Sequence, residues 1–198
     1  MDQALDTARY DLFTLDAAAR LIWKNTDRGV AIEPTALILW RAGRWRKLRY
    51  DEIETITLST GVIGASRTIG QCTLTLRTGR RIVITNTNAA GTADGMRDEL
   101  YREFIRDFHR ALIVSGAARS IVFRSGFSRG RMTGLMVALV AAVGMFVVLP
   151  LMLLLITRNL QALWLLLAGA TIVAPAAGIA RSNQAAGYSP QQPPDLLP

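Results

Sequence analysis

With one cysteine and one histidine, the chain has little from which to assemble nucleophilic or metal chemistry. A structural zinc site takes four ligands, usually thiolate or imidazole, and a Ser-His-carboxylate hydrolase would rest on His109 alone. His109 falls among Arg106, Asp107 and Arg110, so a surface imidazole is expected there. Cys72 lies on the apolar side of an alternating stretch and reads as a small core residue. A lone cysteine leaves no intrachain disulfide, which fits a reducing compartment. These residue types point to no catalytic residue, no cofactor and no metal, and the chain does not read as an enzyme.

Two further groups of residues are candidates for contact. Arg41, Arg44, Arg46, Lys47 and Arg49 are five basic residues within nine, interleaved with Trp40 and Trp45. Beside a membrane such residues would engage anionic headgroups at roughly 1 kcal/mol each; on a sheet edge they would instead guard against mispairing. A nucleic-acid surface would need a recognised fold motif, and none is present. Gly61, Gly64 and Gly70, with Ser66, Arg67 and Thr68, suggest a phosphate loop, but no Gly-Lys-Ser/Thr ending or helix follows. A flexible strand connection is expected there.

The elements that position these residues divide the chain in two. Lys and Arg number 23 and Asp and Glu 15, yet between Met132 and Ala180 the only charged residue is Arg158. Met132 to Ile156 forms one uncharged run, and a helix of that length rises about 37 Å, more than the roughly 30 Å of a bilayer's hydrocarbon core. Leu160 to Ala180 forms a second, with Gln161 and Trp164 near its start. Pro150 and Pro175 predict a kink in each. Arg119, Arg124, Arg129 and Arg131 precede the pair and Arg181 follows it, so both termini are expected in the cytoplasm. The N-terminus is acidic and does not read as a signal peptide.

Small residues recur at Gly134, Ala138 and Ala142 and again at Ala170, Ala174 and Gly178. Such stripes allow close helix packing, either within one hairpin or between copies in a homo-oligomer. With no acidic residue, lysine or histidine inside either run, an ion pathway has nothing to work with.

Ahead of the membrane segments, apolar residues alternate from about Gly29 to Asn86. Turn signals sit at Glu33-Pro34-Thr35, Ala42-Gly43 and Thr78-Gly79. From Asp94 the period changes to four, through Met96, Leu100, Phe104, Phe108 and Leu112, which predicts an amphipathic helix capped by Asp94 and supported by Asp98 with Arg102. The expected fold class is α+β, a bent antiparallel sheet or barrel over 29–115 closed by this helix and followed by a transmembrane hairpin. Residues 1–28 read equally as strand or helix. Residues 116–131 form a basic linker, and the tail 181–198, with four of seven prolines, is expected to be extended and disordered.

Leu37-Ile38-Leu39-Trp40, Leu48 to Ile56, Leu74-Thr75-Leu76 with Gly79 and Ile82 to Ile84, and the helix from Tyr101 to Leu112 resemble the pleckstrin-homology-like domains of bacterial membrane proteins. The resemblance covers about 80 residues and rests on apolar patterning. It implies a non-catalytic binding or scaffolding module in the cytosol, tethered to a bacterial inner membrane and contacting a protein partner or anionic headgroups. An accessory subunit assembled through its hairpin is the alternative.

Overall fold

The computed structural model describes residues 8–16, 27–63, 67–92, 94–127, 129–157 and 184–194, with scattered positions between 167 and 180. Two compact units emerge, one from Met1–Gly126 together with Ala186–Pro198, the other from Phe127–Ala185.

The first unit is built on a nine-stranded mixed sheet. Its strands are β1 (Arg9–Asp16), β2 (Arg28–Ile32), β3 (Ala36–Arg41), β4 (Arg44–Arg49), β5 (Ile53–Ile63), β6 (Arg67–Leu76), β7 (Arg81–Thr85), β8 (Val122–Ser125) and β9 (Ala186–Gly187). They lie in the order β4-β3-β2-β1-β7-β6-β5-β8-β9. Thus β1, from the ambiguous N-terminal segment, joins two meanders, pairing with β2 on one side and β7 on the other. The expectation of a wholly antiparallel sheet is corrected by β8, which runs parallel to β5 from Thr55↔Val122 to Leu58↔Ser125. A parallel neighbour requires a crossover, and helix α1 (Asp98–Val114) supplies it.

α1 lays Tyr101, Phe104, Ile105, Phe108 and Leu112 against Leu12, Leu37, Leu39, Ile56, Leu74 and Ile84. Phe104 and Phe108 stack at 5.5 Å, and Tyr10 meets Phe104 edge-on at 5.5 Å. Each fully buried Leu, Ile or Phe contributes about 1.5–3 kcal/mol of apolar burial. Asp94 caps a 3-10 turn, accepting from the Met96 N–H, and the α-helix starts only at Asp98. Arg102 pairs with Glu99, while Asp98 accepts from Asn86 Nδ2 at 2.5 Å. Asp98 thus ties the helix start to the end of β7.

The glycine-rich connection is longer sheet than the sequence suggests: Gly61 and Gly70 lie within β5 and β6, and Gly64 and Ser66 fall outside the described residues. Gly70 has a packing reason, since a Cβ there would stand 2.6 Å from the Tyr101 ring. The expected basic linker from 116 to 131 holds a 3-10 turn (Ala117–Arg119) and β8.

In the second unit, α2 (Arg129–Val143) runs through a π-helical segment at Gly144–Val148 into α3 (Leu149–Thr157). The irregularity sits beside Pro150, whose ring would collide with the carbonyl four residues earlier in a regular helix. Met132–Ile156 is long and apolar enough to cross a membrane, and nearly all of it is exposed. The second expected run, Leu160 to Ala180, lies largely outside the described residues, as do Arg158 and Pro175.

Candidate lipid- and partner-contact surface

β3 and β4 turn on Ala42 and Gly43, with φ of 49° and 75°, a pair of positive values suited to a two-residue hairpin. The Ala42 N–H donates to Asp27 Oδ1 at 2.9 Å, which holds the turn against the start of β2. In the antiparallel register Arg41 faces Arg44, Trp40 faces Trp45, Leu39 faces Arg46 and Leu37 faces Leu48. Because successive side chains alternate, the five basic residues divide between two faces. Arg41, Arg44 and Arg46 share the face of Leu39 and buried Leu48; Trp45, Lys47 and Arg49 share the other.

The second face is largely neutralised. Lys47 Nζ lies 2.8 Å from Glu33 Oε2, and the Arg49 guanidinium grips Asp51 through Nε at 3.1 Å and Nη2 at 2.7 Å. Trp45 packs edge-on against Trp40 at 5.2 Å, and its ring leans on Gly29, where a Cβ would approach it to 2.9 Å. Gly29, at φ +128°, leaves the indole that space, yet Trp45 remains 45% exposed. On the first face neither Arg44 nor Arg46 forms an ion pair with a described residue, and Arg44 lies directly opposite Arg41 across the strands. β4 is the outermost strand on its side of the sheet among the described residues.

The two reactive side chains are enclosed, against expectation for one of them. Cys72 is fully buried, and burial pushes its thiol up to about 12. His109 is not a surface residue but 1% exposed. Its Nδ1 lies 2.7 Å from the Ile105 carbonyl, an acceptor only, so Nδ1 carries the proton and donates. Nε2 is then an acceptor, and the Tyr188 hydroxyl donates to it at 2.9 Å. Burial holds the imidazole pKa below its usual value, partly offset by the bond to Ile105.

Tyr188 corrects the expectation for the tail. Residues 186–188 dock on the sheet: Ser125 pairs with Ala186, Arg124 with Gly187, and the Tyr188 N–H donates to the Phe123 carbonyl at 3.4 Å. The Tyr188 ring sits 5.7 Å from His109 and 5.6 Å from Phe123. A proline-rich composition disfavours helix and ladder, but a three-residue stretch ahead of Pro190 still fits a strand edge.

Of the small residues in the second unit, Gly134, Ala138, Ala174 and Gly178 are exposed, Ala142 is half-buried and Ala170 is not among the described residues. Close approach occurs instead at Gly169, where a Cβ would lie 2.5 Å from the Phe146 side chain and 2.8 Å from its carbonyl oxygen. Neither Gly169 nor Tyr188 was singled out by the sequence pattern. Gly169 carried a weak signal, a glycine within an apolar run.

No protein-family model matches the chain, and no curated protein matches it.

Proposed function

We propose that the protein is a membrane-tethered, non-catalytic binding or scaffolding module of the pleckstrin-homology-like kind. Its cytosolic domain presents the β3–β4 hairpin to anionic headgroups or an acidic partner. The resemblance is supported by two meanders joined through β1, with α1 packed across them. A binding role rather than catalysis is supported by the enclosure of Cys72 and His109.

The observation that carries the contact surface is the pair Arg44 and Arg46, exposed, adjacent on one face of an outermost strand and without an ion pair to any described residue. A 25-residue run long and apolar enough to span a membrane in the same chain supports a lipid surface as the anionic contact.

The tether is read as a hairpin with both ends in the cytosol. Ser125 and Arg124 pair with Ala186 and Gly187, so the chain leaves the first unit and returns to it at one sheet edge. A segment whose ends are side by side on one domain crosses a bilayer an even number of times. Close packing of Gly169 on Phe146 favours a second helix beside Met132–Ile156.

The test uses the domain with residues 127–184 removed and Gly126 joined to Ala185. It should float with anionic vesicles at 0.1 M salt, release at 1 M, where the Debye length falls to about 3 Å, and ignore neutral vesicles. Replacing Arg44 and Arg46 by Gln should weaken binding roughly 30-fold at about 1 kcal/mol each. Replacing Lys47 and Arg49, already paired with carboxylates, should change it less than about threefold. Equal loss from both double variants would discard the assignment to one face.

A second reading, an accessory subunit assembled through its membrane helices, is favoured by the exposed small residues Gly134 and Ala138 on the first span. Substituting both by Leu in the full-length protein would abolish co-purification of a membrane partner under that reading, whereas replacing Arg44 and Arg46 by Gln would leave it intact.

A further inference from the structure

β8 has four residues: the chain's own tail pairs with Arg124 and Ser125 and donates the Tyr188 N–H to the Phe123 carbonyl, which leaves the outer edge open at Val122. Val122, at the uncovered end, is 48% exposed. The tail cannot extend its ladder far, because Pro190 follows Tyr188 by two residues, has no N–H to donate and stands in a turn. What the tail contributes beyond the ladder is a single side chain. Tyr188 fills the space between the rings of Phe123 and His109 and donates its hydroxyl to Nε2.

We infer that Ala186–Tyr188 is a displaceable strap in a strand-acceptor groove, and that when the strap lifts the groove takes an extended segment of another protein, two small residues followed by a tyrosine. The occupant's chemistry is set by the groove. The pair positions opposite Arg124 and Ser125 are held by Gly187 and Ala186, the two smallest residues. The lone pair of Nε2 is fixed in direction because Nδ1–H is committed to the Ile105 carbonyl. A buried acceptor in that state demands a hydroxyl or N–H donor, and the aromatic walls of Phe123 and His109 favour a ring carrying it. An incoming strand of four residues would pair along all of β8, adding Val122 to the three residues that the strap reaches, and so can compete with it. The inference does not depend on what the β3–β4 hairpin meets at the opposite side of the sheet.

His109 is the only histidine, so its acylation by diethyl pyrocarbonate reports the groove without ambiguity in the full-length protein held in detergent and purified without a histidine tag. The parent should be protected, and Tyr188→Ala should react at least about tenfold faster, with Tyr188→Phe between them, as expected for loss of a ring or of one hydrogen bond. A synthetic peptide of residues 184–192 added to Tyr188→Ala should restore protection saturably. The same peptide with phenylalanine for tyrosine should need roughly fivefold more, the equivalent of one net hydrogen bond. Hydrogen exchange on the parent provides an arm that needs no substitution: the Tyr188 amide should exchange at least about a hundredfold faster than the paired amides of β5 and β6, as a locally opening strap must. Equal protection of His109 in parent and Tyr188→Ala, failure of the peptide to restore it, or a Tyr188 amide as slow as the sheet would overturn the inference.

Discussion

Deleting residues 127–184, the apolar helix Met132–Ile156 among them, and joining Gly126 to Ala185 should leave a domain that needs no detergent and keeps its sheet intact. Ser125 pairs with Ala186, so the join leaves Gly126 and Ala185 as a two-residue hairpin loop. Gly126 already has φ 84°, a value that the first central position of such a turn accepts. The informative comparison is the same domain ending at Gly126, which lacks the strap. There the buried His109 Nε2 loses its donor, a cost of about 1–3 kcal/mol, and the ring contacts with Phe123 and His109 are lost as well. A difference of about 3 kcal/mol in a domain of this size corresponds to a midpoint about 10 °C lower. Thermal unfolding followed by circular dichroism measures both proteins in one buffer without detergent. Equal midpoints would refute the reasoning, because they would mean that the strap adds nothing to the fold. So would a joined protein that aggregates while the shorter one folds.

Two further outcomes are expected of the joined domain. Since His109 binds a proton less readily folded than unfolded, stability should fall as pH drops below about 6.5, by up to about 1.4 kcal/mol per pH unit until the folded pKa is reached, and His109→Gln should flatten that slope in denaturant titrations between pH 7 and 5. Asp11, whose pKa the bonded Arg28 guanidinium lowers, titrates below this window and should not contribute to it. Asn86→Ala should cost about 3 kcal/mol in the same titrations: it strands the Gly70 N–H that now donates to Asn86 Oδ1 at 2.8 Å and removes the donor to Asp98. A loss under about 1 kcal/mol would mean that water replaces the amide.

The parts of the fold legible in the sequence were those with a short period. Alternation gave β3, β6 and β7, and the turns at Pro34-Thr35, Ala42-Gly43 and Thr78-Gly79 fell between strands. The four-residue spacing from Leu100 to Leu112 gave α1, although its start moved from Asp94 to Asp98. His109 was misread for a reason visible in retrospect: it stands four residues after Ile105 and eight after Tyr101, on the buried face, but its charged neighbours masked that spacing. Its partner lies 79 residues away, beyond the long apolar helix, and no local pattern announces a tyrosine that completes a distant pocket. The basic cluster was legible as a count but not as a surface. Assigning β4 as a strand already implies that Arg44 and Arg46 face away from Lys47 and Arg49; only the structure adds that Glu33 and Asp51 occupy the latter pair.

The central claim, a domain closed on itself around a membrane hairpin, is tested most directly by topology. Reporters fused in turn to the N-terminus and to the C-terminus of the full-length protein, in membranes that survive alkaline carbonate washing, should both report the cytosolic side. The pairing of β8 with β9 requires that the two ends of residues 127–185 share a compartment. Opposite sides for the two fusions would mean a single crossing, and would contradict the strap, the shared sheet edge and the hairpin together.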